Sequence, residues 1–209
     1  MKEDSNKDKT RRQIAEAAIK MFIERGIKDV KMDNIATELS ISKRTIYELF
    51  ADKKQLLLEA LKLQDENTRE IAKIKIRDSK HILDIILSLY ALYFEKMKTI
   101  NKKFFYEITK YPNIIQLNKY REKKNDKRFI AWMEMGRKEG YFREDANFEI
   151  LLYILRRDLE TIFAVNMNSA DNELSKYSPD ELGKTLILFY LRGISTTKGQ
   201  EFIEQYLKQ

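Results

Sequence analysis

Two prolines and six glycines punctuate 209 residues, and this scarcity constrains the fold more than any other feature of the chain. A sheet protein turns often, and tight turns draw on those two residue types. Long helices with short connections need few of them. The expected fold class is all-α. Leu, Ile, Lys and Glu, which tolerate helix well, dominate the chain, and 43 % apolar residues suffice for a packed core.

Several function classes are excluded by what is absent. There is no cysteine, hence no disulfide framework, no thiolate metal site and no cysteine nucleophile. The one histidine, His81, has no His or Cys partner, so neither a transition-metal site nor a cofactor is expected. Met1 to Gln13 is polar and charged, unlike a signal peptide. The best apolar stretch, Ile82 to Phe94, is interrupted by Asp84 and falls short of the ~18 residues that a membrane span needs. A soluble, cytoplasmic chain without a membrane partner is expected. The formal charge of +7 is compatible with nucleic acid, yet residues 1–54 hold only 13 Lys+Arg against 10 Asp+Glu. Placement of charge must matter more than its amount.

Apolar periodicity marks the helices. Thr10 and Gln13 have capping-box spacing, Ile14, Ala17, Ala18, Met21 and Phe22 share one face, and Gly26 is placed for a left-handed cap. A short helix from about Met32 to Leu39 buries Met32, Ile35, Ala36 and Leu39. Ser40-Ile41-Ser42 leaves room only for a tight turn, and Ser42 caps a third helix over about Lys43 to Phe50. Asp52 and Gln55 open a long fourth helix to about Arg77, a rigid connector between two bodies. Beyond Ser79 the chain reads as helical throughout. An aromatic piece lies at 104–106, a helix runs from Pro112 to near Gly140, and two more cover about 148–166 and 179–197. A last short helix spans 201–208, and the polar stretch Asn168 to Tyr177 reads as a loop.

Two short helices around a three-residue turn, at residues 31 to 50, describe a helix-turn-helix. Its second helix enters the major groove with its first residues at the base edges. The polar residues there are Ser42, Lys43, Arg44, Thr45 and Tyr47. Arg and Lys donate to guanine O6 and N7, and Thr meets a thymine methyl. The Tyr47 hydroxyl suits a phosphate. Lys53 and Lys54 open the fourth helix, whose dipole favours an anion. Lys7, Lys9, Arg11 and Arg12 add positive charge to the N-terminal arm.

Thr10 to Leu61 resembles the DNA-binding domain of the TetR family of bacterial regulators. The resemblance rests on Arg12 through Phe22 with Gly26, on Ile35-Ala36, on Ser42-Lys43-Arg44-Thr45-Ile46-Tyr47, and on Phe50 with Asp52-Lys53. It covers about a quarter of the chain and implies a three-helix helix-turn-helix domain, residues 1–54. A larger helical domain for effector binding and dimerisation, residues 55–209, is implied to follow. It further implies a homodimer through helices 148–166 and 179–197, a palindromic double-stranded operator, and a small apolar or amphipathic effector. The effector would change the separation of the recognition helices and lift repression. Two residues depart from the pattern. Ser40 stands where glycine is usual and must hold a left-handed backbone, at a cost of roughly 1 kcal/mol. Lys31 stands where Ser or Thr usually caps the second helix, and can meet a phosphate only as a point charge.

Tyr90, Phe94, Phe105 and Trp132 fall in the middle helices and are candidate effector-pocket residues. Other aromatics, Phe163 among them, read as core or dimer interface, and the basic run Lys119 to Arg128 as a solvated face. No catalytic residue is expected. Two other classes remain open from sequence: an all-helical enzyme, which lacks a recognisable catalytic dyad or phosphate loop here, and a helical protein-interaction module without operator binding.

Overall fold

The computed structural model describes residues 2–168 and 176–208. Ten helices run through them: α1 (Lys2–Arg25), α2 (Met32–Glu38), α3 (Lys43–Leu49), α4 (Lys53–Asp78), α5 (Ile82–Lys98), α6 (Lys102–Ile108), α7 (Pro112–Lys138), α8 (Phe148–Asn168), α9 (Pro179–Ile194) and α10 (Thr197–Tyr206). The fold is all-α. Its packing resolves into two compact units, the first of Met1–Ala72 with Thr99–Gln116 and the second of Lys73–Lys98 with Leu117–Gln209.

The first unit is organised by the apolar stripes of its helices. Ile14, Ala18 and Phe22 of α1, Ile35 of α2, Ile46 of α3, Phe50, and Leu56, Leu57 and Ala60 of α4 are fully buried in one cluster. Burying each large side chain contributes roughly 1.5–3 kcal/mol against the chain entropy lost. The unit is larger than the 1–54 segment set off by motif alone. Leu63 of α4 and Phe104 of α6 join the same core. Polar contacts hold α6 to the end of α1 and the segment after it, among them the Asn101 side-chain amide donating to the Glu24 carbonyl at 3.0 Å. The Asn101 amide donates to the Ile23 carbonyl at 2.9 Å, the buried Glu107 accepts the Lys28 amide at 2.8 Å, and Lys103 pairs with Asp29 at 2.8 Å.

Helix α1 begins at Lys2, well before the start expected at Thr10. Thr10 caps nothing: its hydroxyl donates to the Asn6 carbonyl one turn back, at 2.9 Å. The apolar period begins only at Ile14, so the polar first turns carry no periodic signal. Gly26 takes φ +93° as its cap role requires.

The turn between α2 and α3 is a Schellman cap on a serine. Ser40 has φ +53°, alone among the described non-glycine residues in this region. Its amide donates to Thr37 O at 3.1 Å, and the Ile41 amide donates to Ala36 O at 3.0 Å. Replacing Ser40 with glycine removes the left-handed strain while loosening the unfolded chain. Ser40→Gly is therefore expected to stabilise the first unit by about 0.5–1 kcal/mol. A chemical-denaturation midpoint that does not rise would contradict this.

In the second unit α5, α8 and α9 supply the centre of the core, with Leu83, Ile86, Phe94, Leu155, Ile187 and Leu191 buried. Ser178 and Glu181 form the expected capping box, the Ser178 amide donating to the Glu181 carboxylate at 2.8 Å. Helix α9 stops at Ile194 rather than near Thr197. Ser195 and Thr196 are extended, and Phe142 and Ser195 form an antiparallel bridge, flanked by Arg143 N–H to Ile194 O and Thr196 N–H to Tyr141 O, each 2.9 Å. The Thr196 hydroxyl then accepts the Gly199 amide at 3.2 Å, so α10 begins at Thr197, earlier than the expected 201. His81 is exposed, with its ring 5.7 Å from that of Phe202.

Candidate nucleic-acid interface

Helix α3 has one face in the core and one in solvent. Ile46 and Phe50 are completely buried and fix its axis, while Lys43, Arg44, Tyr47 and Glu48 are exposed. Ser42 caps it, its hydroxyl accepting the Thr45 amide at 3.0 Å. The Ser42 and Thr45 hydroxyls lie 2.8 Å apart, and Thr45 is half-buried. Those two hydroxyls thus secure the helix start, and the outward groups lie just beyond it.

Both basic side chains on this face are held by carboxylates. Lys43 Nζ lies 2.7 Å from Asp33 of α2, which raises the lysine's pKa through that hydrogen bond. Arg44 Nε donates to Glu48 one turn on at 2.8 Å. These exposed pairs contribute little to stability, but they restrict where the cations can reach. The Tyr47 ring stands 47 % exposed, 6.0 Å from the Lys43 ammonium.

Lys31 occupies the N-cap of α2 without a side-chain cap bond. Half of a capping box survives, because the Lys31 amide donates to Asn34 Oδ1 at 2.7 Å. Its ammonium is left at the surface, exposed. Asp52 caps α4 by accepting the Gln55 amide at 2.7 Å. The reciprocal bond reaches Ala51, whose amide donates to Gln55 Oε1 at 2.7 Å. Lys54 is exposed on the first turn of α4. Lys53 folds back instead. Its ammonium lies 3.4 Å from the Lys28 carbonyl and 5.9 Å from the Phe22 ring, and burial lowers its pKa.

Arg11 does not act as a loose arm charge. Its guanidinium makes a two-pronged pair with Glu59 of α4, donates to the Leu49 carbonyl at the end of α3 at 2.7 Å, and covers the Phe50 ring at 4.6 Å. Sequence reasoning missed this role because the partners lie 38 and 48 residues away. Arg12 pairs locally with Glu16 at 3.1 Å.

The four candidate pocket residues do not form one set. Tyr90 lines a small apolar cavity of about 20 Å³ with Phe129, Met133, Leu155, Ile187 and Tyr190, enough for about one water-sized molecule. Burial raises the pKa of the Tyr90 phenol, and that of Tyr190 is pushed up to about 12 by burial and by its 2.7 Å bond to Asp158. Phe94 instead packs on α9, where a Cβ at Gly183 would lie 2.3 Å from its ring. Trp132 is half-buried with the Arg128 guanidinium 5.3 Å from its ring. Phe105 belongs to the first unit, beside Phe104. Phe163, Lys123 and Lys124 lie outside the described side chains. No grouping of three or more His, Cys, Asp or Glu suited to a metal ion occurs among the described residues, and no described helix is long and apolar enough to cross a membrane.

An all-α unit whose capped second short helix turns a polar, basic face outward has the architecture of a helix-turn-helix DNA-binding domain. Residues 14–60 match the family model of the bacterial regulatory proteins of the tetR family. Over 86 residues the chain is 35 % identical to the HTH-type transcriptional regulator PksA of Bacillus subtilis (strain 168), covering 39 % of this chain and 42 % of that protein. Over 92 residues it is 33 % identical to the HTH-type transcriptional regulator SAB2452 of Staphylococcus aureus (strain bovine RF122 / ET3-1), covering 44 % and 49 %. The chain thus spans under half the length of these curated relatives. Its fold is that of a transcriptional regulator from Saccharomonospora viridis, solved with choline, at a TM-score of 0.73 and 22 % identity over 90 % of this chain and 99 % of that one.

Proposed function

We propose that this protein is a ligand-responsive transcription regulator, most simply a repressor, that binds a palindromic operator as a homodimer. The observation that carries the reading is the outward face of α3. Lys43, Arg44 and Tyr47 project from a helix whose other side is locked into the core by Ile46 and Phe50. Arg44 is assigned to base edges, Tyr47 and Lys43 to the groove wall, and Lys31 and Lys54 to phosphates. Lys53 joins them only by leaving the Lys28 carbonyl. Ser42 and Thr45 set the helix start and offer their hydroxyls at the same edge.

Dimerisation is assigned to the outward faces of α8 and α9. Ile150, Tyr153 and Ile154 are 57, 68 and 40 % exposed on α8, and Phe189 is 73 % exposed on α9. Apolar groups this open on two packed helices fit a covered interface better than free solvent. The effector is assigned to the apolar cavity at Tyr90. That cavity holds about 20 Å³, so a larger apolar or amphipathic molecule must part the surrounding helices to enter. A ligand that fits only the parted state shifts the population toward it, and this is how release from the operator would be driven. The choline-bound regulator of like fold supports a small-molecule site in this architecture.

The test is binding of the purified protein to its own upstream intergenic DNA, against a shuffled duplex, across a salt series. Tight, salt-sensitive preference for the native fragment is expected, because phosphate contacts release counterions. Equal weak binding to both duplexes, followed by a genome-wide selection that enriches nothing, would end the reading. With an operator in hand, Tyr47→Phe is expected to weaken operator and random DNA by the same few-fold factor. Arg44→Ala is expected to cost roughly tenfold on the operator and to relax base preference at one position of each half-site.

A further inference from the structure

The carboxylate of Glu48 is the odd group on the outward face of α3. It is exposed, with a side-chain exposure of 60 % beside 87 % for Arg44, and it stands one helical turn from that arginine. Phosphates repel it. Base edges offer it one strong partner in the major groove, the N4 amino group of cytosine.

The pairing in the free protein prepares such a contact. Arg44 gives only its Nε–H to Glu48, at 2.8 Å, so its two terminal amino groups remain to donate. Guanine presents O6 and N7 as adjacent acceptors, and the cytosine paired with it presents the N4 donor alongside. An arginine and a carboxylate already bonded to each other therefore match the two halves of one G·C pair. Ile46, completely buried two residues from either partner, holds the helix that carries them. Lys43 is drawn toward α2 by Asp33, while Glu48 pairs with Arg44.

We propose that Arg44 and Glu48 together read a single G·C pair in each half-site, Arg44 taking the guanine and Glu48 the cytosine. This rests on the operator-binding reading above. It adds Glu48 as a residue that sets specificity, where a carboxylate would otherwise only weaken affinity.

The experiment is selection from a random duplex library by the wild-type chain, Arg44→Ala and Glu48→Ala, with circular dichroism melts to confirm that each variant is folded. The wild type is expected to enrich an inverted repeat with a fixed G·C pair at one position of each half. Both variants should lose roughly tenfold or more of the discrimination at that same position while keeping the others. If Glu48→Ala retains the G·C preference and merely binds all DNA more tightly, the carboxylate is an electrostatic brake and the proposal fails. Relaxation at two different positions by the two variants also overturns it. A wild-type selection that enriches no repeat removes the operator reading itself, and this inference with it.

Discussion

On the proposed dimerisation through α8 and α9, Phe189→Asp is expected to leave the protein a monomer of 25.0 kDa. Phe189 is 73 % exposed on α9, so the substitution removes nothing from the core of the chain. In the proposed dimer the same ring becomes an anchor, and an aspartate there must be desolvated without a partner. The destabilisation of the interface is about 2 kcal/mol or more. Operator affinity should fall with it, by a factor on the order of 10²–10⁴, because the two half-sites are no longer engaged by one linked pair of recognition helices. The thermal midpoint measured at high dilution, where wild type and variant are both monomeric, should be unchanged. Sedimentation equilibrium decides the matter. A variant that still sediments as a dimer would move the interface away from the outward face of α9.

Arg11→Ala is expected to lower the stability of the first unit by about 1–3 kcal/mol. The lower end allows for screening, since the Arg11 and Glu59 side chains are 31 and 33 % exposed. Three losses contribute: the fork to Glu59, the donor to the Leu49 carbonyl at the end of α3, and the cation over the Phe50 ring. For a unit of this size the melting temperature should drop by roughly 4–8 °C per kcal/mol. Arg11→Lys keeps the charge but not the planar fork, and should recover little of the loss. Operator affinity should fall equally for all sequences, because the loosened end of α3 aims its whole outward face less well. Were Arg11 a simple phosphate contact, Arg11→Lys would instead bind DNA nearly as well as wild type, with an unchanged melting temperature.

The local elements of the DNA-binding unit were legible because their signals are local. The stripe of Ile14, Ala18 and Phe22, the glycine cap at Gly26, the Ser42 cap and the Asp52 cap all depend on residues within a turn or two of one another. Even the strain at Ser40 could be read, since the resemblance places a glycine at that position of the turn. The first turns of α1 were not legible, having no apolar period. The end of α9 at Ile194 was not legible either, because it depends on the backbone of Tyr141 to Arg143 pairing with Ile194 to Thr196, more than fifty residues distant.

Side-chain roles divide along the same line. The sequence alone determined the all-α class, the helix-turn-helix at residues 31 to 50 and the polar set of Ser42, Lys43, Arg44, Thr45 and Tyr47 at the start of its second helix, because period, cap and spacing specify a helix and its two faces. Only the tertiary structure decided that Arg11 is a clamp and that Lys53 turns back to the Lys28 carbonyl. It likewise decided that Tyr90 borders the apolar cavity while Phe105 lies in the other unit. A basic or aromatic residue has the same local signal in any of these roles. What separates them is which distant carboxylate, carbonyl or ring the fold brings within reach, and that is a property of packing rather than of spacing along the chain.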